Sequence, residues 1–186
     1  MPSPEQDRLF IETAIAALGD YLLSKELFWP LPGGTLGQAL PRLTIGGMLL
    51  ALVRLRARAV SPADQAIVYN WEQEIDAVRR RWRAAWEKKV RREFGARLNL
   101  WRNYVNDYRR DPEQYADAYP HEVRWRVMLH LLRTELPAPP PEAALVDDLD
   151  GFLRAHFVTG EFIWEPELEG GFPEDEYWYL YGRLRA

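Results

Sequence analysis

The sequence predicts an all-α protein, an irregular bundle of five or six helices with a non-helical C-terminal segment that is aromatic and acidic. Apolar residues recur at spacings of three and four along most of the chain, which is the period of an amphipathic helix. Ser-Pro pairs precede two of these stretches, and Pro- and Gly-rich segments separate others, as is typical of helix starts and stops. We therefore assign residues 1–160 to a helical domain and residues 161–186 to a segment that packs on it.

The composition is that of a folded globular protein. Hydrophobic residues make up 47% of the 186 residues and charged residues 28%, a balance that is unusual for disordered chains. Cysteine is absent, which excludes disulfides, thiolate metal sites and thiol nucleophiles. The N-terminal sequence MPSPEQDRLF has acids and no cationic leader before an apolar run, so we expect no signal peptide and a cytoplasmic location.

The first helix is expected to begin at Ser3-Pro4 and to run to about Phe28. Ser3 suits the N-cap, Pro4 suits the first helical position, and Gln6 completes the spacing of a capping box. The sequence WPLPGG ends the helix, and residues 30–43 form a Pro/Gly-rich connection.

The second helix is expected over residues 45–59, with Thr44 as its N-cap. It begins with the sequence LTIGGMLLALV, which is apolar on most faces. About ten apolar residues cannot cross a bilayer, which requires roughly 20. We therefore expect a buried helix, with a membrane-surface role as the alternative.

The longest helical pattern begins at Ser61-Pro62 and continues to about Tyr108. Its apolar residues form two stripes that are turned by roughly 120° with respect to each other. The first stripe consists of Ile67, Trp71, Ile75, Val78, Trp82 and Trp86, and the second of Phe94, Leu98, Trp101, Val105 and Tyr108. Gly95 lies within the run where the phase changes. Either one long helix offers its two faces to different neighbours, or the helix kinks or breaks near Gly95, which we favour.

The remaining elements are shorter. A turn is predicted over residues 112–118, a helix over 120–136, a stiff Pro-rich connector over 137–141 and a last helix over 142–157. Beyond Gly160 the alternating aromatic residues indicate either a two-stranded ribbon or an extended tail laid over the helices.

No residue pattern predicts a metal, cofactor or catalytic site. The three His residues, His121, His130 and His156, stand apart from one another and from any metal-ligand spacing. The glycine-rich sequence GGTLG at residues 33–37 lacks the Gly-Lys-Ser/Thr ending that would place a cation on phosphate. The catalytic alternative is a pair of carboxylates, Glu72 and Asp76, which lie one helical turn apart. Such a pair could serve in acid/base chemistry.

Charge is strongly segregated along the chain. Residues 78–110 contain 12 Lys and Arg against three acids, a net charge of +9, whereas residues 135–186 contain 12 acids against three Arg, a net charge of −9. Such asymmetry indicates contact surfaces. Helical geometry places four cations opposite the expected apolar stripe, and these are the predicted contacts to a partner or to nucleic acid: Arg80, Lys88, Arg91 and Arg92.

The C-terminal segment supplies a second set of candidate contacts. Its aromatic members are Phe162, Trp164, Trp178, Tyr179 and Tyr181, and its acids include Glu165, Glu167, Glu169 and Asp175. If the segment folds back, the aromatic residues dock it and the acids neutralise the basic helix within the same molecule. If it points outward, the aromatic residues form a hook for a basic partner.

These patterns favour a non-catalytic protein that interacts or assembles with another protein or with itself, without a cofactor and without a membrane. The first alternative is nucleic-acid binding through the basic helix 79–92. A pI near 5.5 is low for a dedicated nucleic-acid binder. The second alternative is a small-ligand binder or enzyme with a pocket between helices, near Glu72, Asp76 or the loop at Trp29.

Overall fold

The computed structural model describes residues 2–32 and 39–186. The described residues are 71% helical, in eight α-helices and three short 3-10 helices, so the mostly helical character predicted from the sequence is confirmed. A small two-stranded antiparallel sheet forms near the C-terminus. The glycine-rich sequence at residues 33–37 lies outside the described residues.

The secondary structure elements follow one another closely. In chain order they are α1 (Pro4–Leu23), α2 (Ile45–Arg58), α3 (Pro62–Arg81), α4 (Arg83–Arg110), α5 (Pro112–Tyr115), α6 (Tyr119–Glu122), α7 (Arg124–Thr134), α8 (Ala143–His156), β1 (Phe157–Phe162) and β2 (Tyr181–Leu184). The chain divides into two compact units, unit 1 (Met1–Glu93) and unit 2 (Phe94–Ala186). The domain boundary at residue 160 stays a prediction.

Helix α1 begins as predicted. The backbone N–H of Gln6 donates to Ser3 Oγ at 3.2 Å, and the backbone N–H of Ser3 donates to Gln6 Oε1 at 2.9 Å, which completes the capping box. The predicted end near Phe28 is wrong, because α1 ends at Leu23. Ser24 is extended, and its Oγ donates to the carbonyl oxygen of Tyr21; this local side-chain bond competes with helix continuation.

Helix α2 is buried, as expected from its apolar sequence. Thr44 Oγ1 accepts a hydrogen bond from the Gly47 N–H at 3.1 Å and caps the helix. The one charged residue buried in α2 is Arg54, and it binds Asp7 of α1 through two hydrogen bonds, Nε to Oδ2 at 2.7 Å and Nη2 to Oδ1 at 2.5 Å. This pair joins α1 to α2.

The helix break that the sequence predicts at Gly95 lies instead at Trp82. Trp82 has φ −117° and ψ 36°, outside the helical region, and it separates α3 from α4. Gly95 lies within α4, because a glycine inside a helix costs only about 1 kcal/mol and need not interrupt it. Trp82 is also half-buried rather than part of the buried stripe, whereas Trp86 is buried.

In unit 2 the C-terminal segment contributes to a two-stranded antiparallel ribbon, the first of the two predicted alternatives, and is not an extended tail. Strand β1 pairs antiparallel with β2, from Phe157 opposite Leu184 to Phe162 opposite Tyr181, with an irregularity between Thr159 and Phe162. Gly182 has a φ of +144°, and a Cβ there would lie 2.2 Å from the carbonyl oxygen of Val158. Glycine is therefore required where the strands approach each other most closely.

Among the residues that the structure describes, no helix combines the length and the apolar character needed to cross a membrane.

Removal of the Asp7 carboxylate tests the role of the buried ion pair. Asp7→Ala leaves Arg54 buried without its main partner, so the free energy of unfolding is expected to fall by about 3–5 kcal/mol. Urea denaturation followed by far-ultraviolet circular dichroism measures this loss.

The matched control is Asp147→Ala, which removes the carboxylate of an exposed pair with Arg133. Exposed pairs contribute about 0–1 kcal/mol, so this variant should unfold close to the wild type. Equal decreases in the free energy of unfolding for the two variants would show that the buried pair of Asp7 and Arg54 contributes no more to stability than an exposed pair.

Candidate functional site

The main candidate site is a positively charged surface in unit 1, at the end of α3 and the start of α4. Residues 76–92 contain eight cations and two acids, a net charge of +6. The four predicted contact residues are all exposed there, together with two further arginines. We call this set the basic face: Arg80, Arg81, Arg83, Lys88, Arg91 and Arg92.

The amphipathic pattern of α4 produces this surface. On the other side of the helix, Trp86 and Val90 are buried. Because residues three or four apart share a helix face, burial of positions 86, 90 and 93 turns positions 88, 91 and 92 outward. The exposure predicted for Lys88, Arg91 and Arg92 follows from this geometry, and Arg80 is exposed on α3.

Two carboxylates lie beside the basic face. Glu87 accepts hydrogen bonds from Arg83 at 3.1 Å and Arg91 at 3.2 Å, and the bond from Arg83 contributes most to lowering the pKa of Glu87. Asp76 binds Arg79 and lies 3.4 Å from Nε of Arg80. Each carboxylate is shared by two arginines, so most of the positive charge of the surface remains uncompensated locally.

Two charged residues of α4 point inward and hold the chain on either side of the α1–α2 connection. Lys89 donates to Ser24 Oγ at 3.2 Å and to the carbonyl oxygen of Glu26, and its Nζ lies 4.3 Å from the centroid of the Tyr21 ring. Burial lowers the pKa of Lys89. Glu93 accepts a hydrogen bond at 2.9 Å from the Gly46 N–H, in the first turn of α2, where a helix favours negative charge.

Both carboxylates of the predicted pair bind arginines. Glu72 binds Arg56 of α2, and Asp76 binds Arg79 and Arg80. Both carboxylates remain partly exposed. The pair therefore serves as an acceptor for guanidinium groups on unit 1.

The predicted aromatic contacts of the C-terminal segment lie within the packing of unit 2. Trp164, Tyr179 and Tyr181 are buried, and Phe162 and Trp178 are half-buried. Trp164 Nε1 donates to the carbonyl oxygen of Pro120 at 2.9 Å, and Tyr181 Oη donates to that of Phe172 at 2.8 Å. The aromatic side chains that a hook would have to expose are thus engaged with other residues of unit 2.

A buried network in unit 2 is absent from the sequence predictions. Arg126 binds Asp150 through Nε to Oδ1 at 2.8 Å and Nη2 to Oδ2 at 2.7 Å. Its guanidinium carbon lies 4.5 Å from the centroid of the Tyr179 ring. Tyr119 donates to the carbonyl oxygen of Tyr179 at 2.6 Å, and burial raises the pKa values of both phenols. The sequence gives one indication of this network, the position of Arg126 between Trp125 and Val127 in a helix whose next residues are apolar.

The four acids expected to neutralise the basic helix lie in unit 2. Glu167, Glu169 and Asp175 are exposed, and Glu165 is half-buried. Neutralisation of the basic face by this segment stays a prediction.

The three histidines occupy separate environments. His130 Nε2 lies 3.4 Å from Oε2 of Glu176, and its ring lies 4.6 Å from that of Tyr177. His156 Nδ1 lies 2.9 Å from the carbonyl oxygen of Phe152, and His121 is exposed beside Arg124. Over residues 2–32 and 39–186, no group of three or more His, Cys, Asp or Glu residues could hold a metal ion.

Comparison of the chain with protein-family models, with curated proteins and with solved structures finds no match. The geometry described above is therefore the basis for assigning a function.

The protonation of His130 should make the stability of unit 2 depend on pH. Burial, followed by the charge of Arg126, lowers the pKa of His130 below its ordinary value of 6.5; Arg133 also lowers it, and Glu176 opposes the shift. The unfolded chain therefore binds the proton more readily than the folded one. Neutral His130 makes its full contribution to the free energy of unfolding above pH 6.5. This contribution is lost as the pH falls from 6.5 through the lower pKa of His130 in the folded protein.

Urea denaturation at pH 7.5 and 5.5 should show a larger decrease in unfolding free energy for the wild type than for His130→Gln. The exposed His121→Gln variant is the control and should keep the wild-type decrease. Identical decreases in all three proteins would contradict the assignment to His130.

Proposed function

We propose that the protein is a non-catalytic interaction or assembly protein, and that the basic face of unit 1 is its contact surface for an acidic partner protein. The observation that carries this proposal is the outward position of Arg80, Lys88, Arg91 and Arg92 on a segment with eight cations and two acids. The cytoplasmic location predicted from the N-terminal sequence is part of the proposal.

The use of the buried charges supports a binding role over a catalytic one. Asp7 and Arg54 join two helices, Lys89 holds the chain after α1, and Glu93 holds the first turn of α2. These buried charged groups of unit 1 are thus engaged in packing. Among the exposed cations, Arg83 and Arg91 bind Glu87 within α4, Arg80 lies beside Asp76, and Arg92 donates to the carbonyl oxygen of Lys25 at 2.8 Å. These bonds lie at the surface and leave the cations accessible to a partner.

The size of the charge favours a protein partner over nucleic acid. Unit 1 contains 14 cations and 11 acids, a net charge of +3, and unit 2 contains 10 cations and 17 acids, a net charge of −7. A dedicated nucleic-acid binder usually has a strongly basic domain. At physiological salt, charges are screened over about 8 Å, so a local basic face recognises acids that come into direct contact with it.

Nucleic-acid binding is the second candidate, and one observation favours it. Trp82 is half-buried at the junction of α3 and α4, and the guanidinium carbon of Arg81 lies 5.3 Å from its ring centroid. Aromatic rings among cations are the elements with which proteins bind single strands. A surface tryptophan that is simply covered by a neighbouring arginine, with no part in binding, would have the same geometry.

Charge reversal on the basic face tests the proposal. The triple variant Arg80→Glu, Lys88→Glu, Arg91→Glu should lose at least tenfold in affinity for a protein partner recovered with the tagged wild type from an extract of the source cells, because three attractive contacts become repulsive (about 1.4 kcal/mol per tenfold). The recovery is made with and without nuclease.

The matched control is the double variant Arg102→Glu, Arg110→Glu, which reverses exposed cations of unit 2 and should bind like the wild type. Equal losses for the two variants would indicate a nonspecific charge effect and contradict the proposed surface. Binding that nuclease abolishes would assign the basic face to nucleic acid instead.

A further inference from the structure

We propose that the acidic partner of the basic face is a second copy of this chain, which contributes an acidic loop of its unit 2. The acidic loop consists of residues 165–176, with the sequence EPELEGGFPEDE. This inference rests on the proposed function and adds the identity of the partner. It assigns the acids of the loop to a contact with another molecule rather than with the same chain.

The two surfaces carry opposite charge of equal size. The acidic loop contains six acids and no cation, a net charge of −6, and residues 76–92 contain eight cations and two acids, a net charge of +6. Five acids of the loop are exposed: Glu167, Glu169, Glu174, Asp175 and Glu176. Opposite charges that meet across an interface favour the correct pair of surfaces and disfavour like-charged ones, so the loop complements the basic face.

Both surfaces are open to solvent in the single chain. The side chains of Arg80 and Arg91 are 70% and 52% exposed, and that of Glu176 is 58% exposed. The other exposed charges of the two surfaces include Lys88, Glu169, Glu174 and Asp175. Another molecule can therefore reach them. Because each copy carries one acidic loop and one basic face, the same contact repeats from copy to copy in a closed ring of two or more.

The acidic loop has a packed base. Leu168 and Phe172 are fully buried, and the rings of Phe172 and Tyr177 meet edge to face with 5.2 Å between their centroids. The backbone N–H of Phe172 donates to the carbonyl oxygen of Glu169 at 3.0 Å, and that of Tyr177 donates to the carbonyl oxygen of Pro173 at 2.9 Å. The loop is thus held in shape before binding, which reduces the entropy lost in the contact.

Three acids of the loop converge on one hydroxyl group. Burial raises the pKa of Tyr181, and the charges of Glu169, Glu174 and Asp175 raise it further, so all three carboxylates lie within electrostatic reach of the Tyr181 hydroxyl. That hydroxyl donates to the carbonyl oxygen of Phe172 within the loop at 2.8 Å. The fold of the loop therefore gathers acids that are separate in sequence into one patch, which can meet several arginines at once.

The cations of α7 that lie near this patch already have partners. Arg126 and Arg133 are on either side of His130, which lies 3.4 Å from Glu176. Arg126 binds Asp150 and Arg133 binds Asp147, both on α8. These arginines therefore leave the negative charge of the acidic loop available to a second copy.

Sedimentation equilibrium of the full-length protein tests the inference. The protein is first treated with nuclease, so that nucleic acid cannot bridge two copies. At low salt the wild type should self-associate as its concentration is raised. The dissociation constant should increase at least tenfold at high salt, because salt screens the attraction between exposed charges.

Charge reversal of each surface shows whether the two surfaces meet. The face variant is Arg80→Glu, Lys88→Glu, Arg91→Glu, and the loop variant is Glu169→Lys, Glu174→Lys, Asp175→Lys. Each variant alone should self-associate at least tenfold more weakly than the wild type. An equimolar mixture of the two should associate again, because the native loop of one variant meets the native face of the other, and the two reversed surfaces also attract.

The matched control reverses three exposed acids of unit 2 outside the acidic loop: Glu113→Lys, Asp117→Lys, Asp148→Lys. It has the same net charge as the loop variant. It should self-associate like the wild type, so that a loss confined to the loop variant is due to the position of the acids and not to net charge.

The outcomes separate this inference from the proposed function. A wild type that stays monomeric at every concentration would overturn the inference, and so would self-association that either variant leaves unchanged or a mixture that stays dissociated. If the wild type is monomeric but recovers a different protein from the cell extract, and the face variant does not, the proposed function stands without a second copy. A face variant that matches the wild type in both experiments would overturn both.

Discussion

In unit 1 the carboxylate of Asp7 on α1 and the guanidinium of Arg54 on α2 bind each other out of contact with water, and the way these helices meet depends on that pair. A buried charge without its partner costs several kcal/mol, so helix arrangements that separate the two groups are strongly disfavoured. The same requirement explains Lys89, which is bonded to Ser24 and Glu26, and Glu93, which accepts from the first turn of α2. Buried charge therefore sets the geometry of unit 1.

The basic face results from the same rotation of α4 that buries Lys89 and Glu93. Within unit 1, the side chains of Lys89 and Glu93 on α4 are buried and those of Lys88, Arg91 and Arg92 are exposed, because burial of Trp86 and Val90 fixes the rotation of the helix. Two acids, Asp76 and Glu87, hold four arginines in place without cancelling the local excess. The surface is thus positively charged and partly preorganised, which reduces the entropy lost when a partner binds.

The sequence predicted the features that depend on neighbouring residues. The caps at Ser3, Thr44 and Ser61 form as expected, and helical periodicity placed the four cations outward. It failed at two helix boundaries: α1 ends at Leu23, where Ser24 bonds to the carbonyl oxygen of Tyr21, and the break expected at Gly95 lies at Trp82. The pair of Arg126 and Asp150 spans 24 residues, so the sequence around Arg126 does not indicate its partner. The direction of the aromatic segment stayed open because large rings suit an interface as well as a core.

Zero-length cross-linking is the most direct test of the claim that the basic face contacts an acidic partner. The chain has three lysines, of which Lys89 is buried and Lys88 lies on the basic face. A carbodiimide joins a lysine amine to a carboxylate only where the two groups touch. The wild-type protein in complex with its partner is predicted to give an amide between Lys88 and an Asp or Glu of the partner. Cross-links formed solely between carboxylates of the C-terminal segment, residues 161–186, and lysines of the partner, with none at Lys88, would contradict a contact through the basic face.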